Sequence, residues 1–247
     1  MTLRGQAIYV TGTKKVHSIA QLVAQNGGTF YSFPLIEVQE KVSLQDEVYL
    51  QKFHDYKWLI FTSQNAVHFF HQKLQHANIT VDSLTIKIAA VGTKTAQLLK
   101  EYQFSVDFIP TIFSADVFVK EFPKIASDTK ALFIKGNLAK ATIRNHVHCD
   151  EWTVYDTVET TKYVQPFIAS LQQEEQKPVV IFASPSAVRA YAQYIVPFIP
   201  WHAITVASIG HVTTAALQHL NASVHIQPST YTMQAVIEQL ISGGKEK

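Results

Sequence analysis

The chain has 247 residues, 47% of them hydrophobic and 16% charged, with 21 Lys and Arg against 19 Asp and Glu. That balance fills a sizeable core and excludes intrinsic disorder, and a net charge of +2 is too small to mark a binder of nucleic acid or of an acidic membrane surface. The one cysteine, Cys149, excludes an internal disulfide and points to a reducing compartment.

The first residues, MTLRGQAIYVTGTKK, hold too short an apolar run for a secretory signal. The longest apolar stretch, YIVPFIPW (194–201), is broken by Pro197 and Pro200. No window approaches the roughly 18 residues that span a bilayer. The expected setting is the cytoplasm.

In chain order, strands are expected at AIYVT (7–11), KWLIFT (57–62), KIAAV (87–91), ALFIK (131–135), PVVIFA (178–183) and ITVASI (204–209). Each is short, apolar nearly throughout and followed by a Gly, Ser or Thr turn. Strands apolar on both faces belong to buried parallel sheets. Helical patterns follow most of them. VHFFHQKL (67–74) puts Val67, Phe70 and Leu74 on one face; the run 89–102 turns Ala96, Leu98 and Leu99 inward; 212–220 does so with Thr213, Ala216, Leu217 and Leu220. This rhythm predicts a doubly wound α/β architecture. Two segments, FYSFPLIEVQE (30–40) and EWTVYDTVETTK (151–162), alternate in polarity and read as strands or interdomain linkers.

The chain also repeats itself. AIYVTGT (7–13) matches ALFIKGN (131–137), FTSQNAV (61–67) matches FASPSAV (182–188), and AAVGTKTAQLL (89–99) matches ASIGHVTTAAL (207–217), at offsets of 124, 121 and 118. Three ordered pairs at nearly constant offset predict two similar domains of about 120 residues. The two Ser-bearing turns are expected to line one shared ligand cleft.

Those turns carry the candidate site. Ser63 and Ser184 are expected helix N-caps, with Pro185 in the first helical position. Gly92 and Gly210 sit at further strand-to-helix turns, and Gly12 and Gly136 end the first strand of each repeat. Six helix N-termini at strand carboxyl ends would suit carboxylate or phosphate groups. For any single turn, plain helix capping is the simpler explanation. No GxGxxG follows the first strand, no GxxxxGK[ST] is present, and no GxSxG surrounds either serine, so nucleotide binding and hydrolase chemistry are not indicated. His146, His148 and Cys149 form H-x-H-C, which matches no common zinc spacing and reads as a solvated loop. Asp46 with Glu47 and Glu174 with Glu175 read as solvated surface charges. Tyr155 lies in WTVYDTVET (152–160), where strand packing is the default role.

The ordered series resembles the uroporphyrinogen-III synthase family over nearly the whole chain. It includes Thr11-Gly12 after the first strand, FTSQNAV, AAVGTKTA, ALFIKGN, VYDT (154–157), FASPSAV, SIGHVTTAAL (208–217) and YTMQAVIEQL (231–240). The resemblance implies two similar doubly wound parallel-sheet lobes joined by a two-stranded linker, the HemD-like fold. One lobe would be 1–35 plus 163–247, the other 41–153, with linker strands at 36–40 and 154–162. It implies cyclisation of hydroxymethylbilane, a linear tetrapyrrole, to uroporphyrinogen III by a cofactor-free, metal-free monomer. It also implies Tyr155 as the acid candidate. The groups placed against substrate carboxylates are Thr11, Lys14, Thr62, Ser63, Gly92, Lys135, Gly136, Asn137, Ser184, Pro185, Ser186, Gly210 and Thr213, with Lys15, Lys94 and Lys140 adding charge nearby.

Departures from the family pattern concern individual carboxylate contacts. Gly12-Thr13-Lys14 stands where many members carry arginine, Lys140 replaces another arginine, and the second FTS is FAS with Ala183. Lysine keeps the charge and loses the bidentate fork. The rival reading is a non-catalytic bilobal α/β protein binding an anionic small molecule. A nucleotide-dependent transferase is weakened by the missing phosphate loop.

Overall fold

The computed structural model describes residues 3–12, 17–127 and 129–243. In chain order the elements are β1 (Ala7–Val10), α1 (His17–Gln25), β2 (Thr29–Ser32), β3 (Ile36–Glu40), α2 (Gln45–Gln51), β4 (Trp58–Phe61), α3 (Gln64–His76), β5 (Lys87–Ala90) and α4 (Thr93–Glu101). They continue with α5 (Ala115–Glu121), β6 (Ala131–Gly136), α6 (Thr142–His146), β7 (Cys149–Glu159), α7 (Val164–Gln172), β8 (Val179–Phe182), α8 (Pro185–Tyr194), β9 (Thr205–Ser208), α9 (His211–His219) and α10 (Met233–Ile241). All six expected strands form. The segment 30–40 splits into β2 and β3 around Phe33-Pro34-Leu35, because Pro34 has no N–H to give to a ladder.

The chain divides into two compact units. One runs up to Glu37 and resumes at Val158; the other is Val38–Thr157. The first unit holds a four-stranded sheet in the order β2-β1-β8-β9, with parallel pairing throughout. The second holds a five-stranded sheet, β3-β7-β6-β4-β5, in which β7, β6, β4 and β5 are mutually parallel.

The strands are apolar on both faces because both faces are covered. In the first unit, Tyr9, Val180, Phe182 and Val206 pack against Phe167, Tyr191 and Leu217 of α7, α8 and α9. Ile8, Val10, Val179 and Ile181 pack against Ile19, Val23, Val236 and Ile237 of α1 and α10. In the second unit, Leu59, Phe61, Leu132 and Ile134 meet Phe70 and Leu99 of α3 and α4. Trp58, Ile60 and Phe133 meet Phe118 and Ile143 of α5 and α6. The expected inward residues Val67, Phe70, Leu74, Ala96, Leu99, Thr213 and Leu217 are buried.

The three repeated sequence pairs occupy matching places. The order β2-β1-β8-β9 corresponds strand for strand to β7-β6-β4-β5. Each repeat therefore contributes its first βαβ stretch to one unit and its second pair of βα segments to the other. Even the outlying bridges match: Ala89 pairs with Phe108, and Ala207 with Ile226, both parallel and 118 residues apart.

Two expected surface acids are half-buried and engaged by buried partners. Asp46 accepts from Lys73 Nζ (2.7 Å) and Trp152 Nε1 (2.7 Å), and Lys73 Nζ also reaches Glu40 (3.0 Å) and the Lys41 carbonyl (2.7 Å). Lys73 is only 4% exposed, so its charge is matched inside the unit. Glu174 accepts from the hydroxyl of buried Tyr9 (2.5 Å). Their partners lie far away in sequence, and a buried cation or phenol needs an acceptor.

Candidate functional site

In the second unit β4 and β6 are neighbours, yet their connections leave toward opposite edges, to β5 and to β7. That reversal is a topological switch point, and ligands of open parallel sheets bind beyond the strand carboxyl ends there. Thr62 and Ser63 follow β4, while Gly136 and Asn137 close β6.

Ser63 is the N-cap of α3, and its Oγ accepts from Ala66 N (3.1 Å). The same oxygen lies 3.2 Å from the hydroxyl of Tyr155. Tyr155 comes from β7. Strands β6 and β7 pair in register as far as Lys135 with Thr153, then slip so that Gly136 faces Tyr155. Such a bulge re-aims the following side chain. Val154 goes into the core and Tyr155 packs half-buried beside it, stacked on Phe69 with ring centroids 5.6 Å apart. A Cβ at Gly136 would stand 2.3 Å from Tyr155 Cζ, so a side chain there would have to displace the ring. Asn137 holds the far end of the bulge. Its N–H donates to Tyr155 O (3.1 Å), and its side-chain Oδ1 accepts from Thr157 N (2.9 Å).

A serine hydroxyl has one proton and two lone pairs. With Ala66 N–H on one lone pair, Ser63 either accepts from Tyr155 or donates to it. In the second arrangement the phenol proton is free for a ligand oxygen. Cys149, at the opposite end of β7, is not poised for chemistry: burial, with Glu151 and Asp150 adding to it, pushes its thiol up to about 11.

In the first unit the matching switch point lies between β1 and β8. Ser184 caps α8, accepting from Ala187 N (3.3 Å); Pro185 opens that helix, and Ser186 accepts from Arg189 (3.3 Å). The position matching Tyr155 is Leu35, which is fully buried. The phenol therefore belongs to the second unit alone of these two matching positions.

The other expected site residues divide by what their polar atoms do. Thr11 is fully buried and donates to Ile181 O (3.1 Å), so it ties β1 to β8 instead of facing a ligand. Lys135 is 13% exposed and paired with Glu151 at 2.9 Å, which commits its charge within the unit. Gly136 does not open a helix: residues 137–141 intervene before the five-residue α6. Lys14 and Lys15 lie outside the described residues. Lys94 and Lys140 are exposed. Thr62 is half-buried beside Ser63, and Thr213 is buried in the first turn of α9. Gly92 and Gly210 are the N-caps of α4 and α9, and neither helix receives a side-chain cap. At both starts no side chain competes for the first-turn amides, and the helix dipole there favours an anion.

Among the described residues no cluster of three or more His, Cys, Asp or Glu could hold a metal ion, and no helix is long and apolar enough to cross a membrane. A cavity of about 480 Å³, lined by His71, Asn78, Asp82 and Tyr102 among others, lies at the opposite ends of α3 and α4 from Ser63 and Gly92. The Gly136–Tyr155 fit has no local signal in the sequence, since it joins residues through a bulge. A fourth repeated pair was legible: PTIFS (110–114) matches PSTYT (228–232) at the offset of 118.

Residues 17–238 match the family model described as uroporphyrinogen-III synthase HemD. The chain is 28% identical over 234 residues to a uroporphyrinogen-III synthase of Chlorobaculum parvum, covering 89% of this chain and 92% of that one. It is 26% identical over 195 residues to one from Synechococcus elongatus, covering 74% of each. Its fold is similar to a crystal structure of a mutant uroporphyrinogen III synthase from Thermus thermophilus (TM-score 0.68, 12% identity, 97% of this chain and 100% of that one). A similar match is the uroporphyrinogen-III synthetase of Helicobacter pylori (TM-score 0.68, 18% identity, 96% and 99%). The chain belongs to the uroporphyrinogen-III synthase family.

Proposed function

We propose that this chain is a uroporphyrinogen-III synthase, a cyclising lyase that converts hydroxymethylbilane to uroporphyrinogen III with inversion of ring D. The observation that carries the reading onto this chain's chemistry is the Tyr155 hydroxyl, held 3.2 Å from Ser63 Oγ at the switch point of the second unit. The reaction is a redox-neutral dehydration and calls on no electron carrier. The hydroxyl of the terminal hydroxymethyl group leaves as water, taking up one proton, and its methylene carbon stays on ring A as an azafulvene cation. Ring D attacks it through its substituted carbon to give a spiro intermediate. That intermediate breaks its older bond, re-forms it at the other side and loses a proton.

Three tasks fall to the protein. The first is to hold a floppy chain so that the substituted carbon of ring D is the one within reach, since direct closure gives the uninverted isomer. Main-chain amides at the uncapped starts of α4 and α9, with the first turns of α3 and α8, suit the substrate's eight carboxylates. The second is to assist departure of the hydroxyl. Tyr155 donates a hydrogen bond to it while Ser63 donates to Tyr155 in turn. The third is to keep Tyr155 aimed, and Gly136, Asn137 and Phe69 do so. Thr62, Ser186 and Thr213 complete the proposed binding turns. On this reading the protein works as a cytoplasmic monomer.

The test is direct. Freshly generated hydroxymethylbilane is incubated with the protein, the product is oxidised, and the isomers are resolved. A predominance of the type III isomer is expected. An isomer mixture matching the enzyme-free control would overturn the reading in favour of plain anion binding.

A further inference from the structure

Two large aromatic side chains stand exposed at matching places in the two units. Phe113 is 56% exposed and Tyr231 52% exposed, and 118 residues separate them, the offset that also relates Gly92 to Gly210. Their local structures are the same. Ser114 N donates to Ile112 O at 2.7 Å, and Thr232 N donates to Thr230 O at 2.7 Å, so each aromatic is the central residue of a three-residue turn. Each turn ends on a helix cap: Ser114 Oγ accepts from Val117 N (3.2 Å) to start α5, and Thr232 Oγ1 accepts from Ala235 N (3.1 Å) to start α10. The caps fix both turns, so neither ring's position is left to a loose loop.

Each aromatic residue also stands beside the glycine that opens a helix with no side-chain cap, the ring itself in contact for Tyr231 and only the Cβ for Phe113. A Cβ at Gly210 would come 2.9 Å from Tyr231 Cγ and 3.0 Å from Cδ1, so the tyrosine ring is seated on the backbone where α9 starts, with His211 at a centroid distance of 5.2 Å. A Cβ at Gly92 would come within 4.0 Å of Phe113 Cβ, and Phe113 stands beside the start of α4. Each unit therefore presents an exposed aromatic residue beside a helix start that no side chain caps. About half of each aromatic side chain stays in solvent, at the same position of the same turn in both repeats.

We propose that Phe113 and Tyr231 are substrate-contacting residues, each taking the face of a pyrrole ring while the adjoining first-turn amides take that ring's carboxylates. The ligand's identity rests on the synthase reading. Its chemistry fits the pairing, because a linear tetrapyrrole alternates flat electron-rich rings with acetate and propionate groups at the spacing of one ring edge. Aromatic rings stack with other π systems in offset or edge-on geometry.

Phe113→Ala, Tyr231→Ala and the exchanges Phe113→Tyr and Tyr231→Phe test it. Two readouts are needed: binding of uroporphyrinogen by equilibrium dialysis under reducing conditions, and turnover of hydroxymethylbilane with isomer analysis. Each alanine variant is expected to bind about 3- to 10-fold more weakly, the range of one aromatic pair. KM should rise more than kcat falls, melting temperature should stay unchanged, and the aromatic exchanges should restore binding. Alanine variants that bind tetrapyrrole as tightly as the wild type would overturn the proposal. A wild type that binds uroporphyrinogen but forms no type III excess would overturn the synthase reading instead, and the alanine variants' binding would still decide the ring contact.

Discussion

The ring of Tyr155 fills the volume that any side chain at Gly136 would need: a Cβ there would stand 2.3 Å from Cζ and 2.7 Å from Oη. Gly136→Ala should therefore displace the phenol from Ser63 without removing either hydroxyl. Overpacking of this kind costs about 1–3 kcal/mol, and a catalytic group misplaced by about 1 Å can lose a hundredfold in rate. We expect kcat to fall about 100-fold, with modest loss of stability. The matching glycine of the first unit is the control. A Cβ at Gly12 would meet Ala183 Cβ at 3.2 Å, a contact that a small shift relieves, so Gly12→Ala should keep most of its activity. Equal losses in the two variants would detach Gly136 from Tyr155 function.

Ser63 and Ser184 separate capping from chemistry. Both accept a hydrogen bond from the third residue of their helices, and Ser63 alone of the two is bonded to a tyrosine hydroxyl. Replacing either with alanine should cost about 1 kcal/mol of stability through the lost cap. Only Ser63→Ala should also depress kcat well beyond its effect on KM. Tyr155→Phe removes the donor itself and should slow turnover about 100-fold, the low end of general acid contributions, while leaving melting unchanged. Parallel kinetics of Ser63→Ala and Ser184→Ala, or wild-type turnover by Tyr155→Phe, would exclude Tyr155 as the acid.

Strands such as VVIF (179–182) were legible because both faces are apolar over four residues. The caps at Ser63 and Ser184 were legible because capping is local. The partners of Tyr155, Thr11 and Lys135 were not, since they come from strands adjacent in space and distant in sequence. Thr11 shows the limit well. Its place after a β-strand suggests a ligand contact, yet its hydroxyl is used on Ile181 of the neighbouring strand. Phe113 and Tyr231 mark a different limit: their repeat was present in the sequence, but nothing local distinguishes an exposed aromatic from a core one.

Lys73 should be the most sensitive charged residue of the second unit. Its ammonium is met by Asp46, Glu40 and the Lys41 carbonyl, all within 3.0 Å, and Asp46 in turn takes the indole N–H of fully buried Trp152. Lys73→Met leaves two carboxylates facing each other with no cation between them. Removing one partner of a buried pair costs about 3–5 kcal/mol. Denaturant unfolding followed by tryptophan fluorescence should show the Trp152 transition moved to markedly lower denaturant. A shift below about 1 kcal/mol, the scale of an exposed ion pair, would show that solvent reaches this cluster.

His71 gives the second unit a predictable response to acid. Its ring stacks on Tyr102 at a centroid distance of 4.2 Å, and Tyr102 in turn bonds His68 Nδ1 at 2.9 Å. Burial, with His68 adding to it, holds His71 below the ordinary histidine value of 6.5. The unfolded chain therefore takes up a proton at this site before the folded one does. Protonation favours unfolding as pH falls through 6.5, and the site's contribution is fully present above that value. His71→Phe keeps a flat ring against Tyr102 and cannot titrate. Melting temperature measured from pH 5 to 8 should fall less steeply on the acid side for His71→Phe than for the wild type, with the two curves converging in slope above pH 7. Curves parallel over the whole range would show that His71 binds its proton equally well in both states.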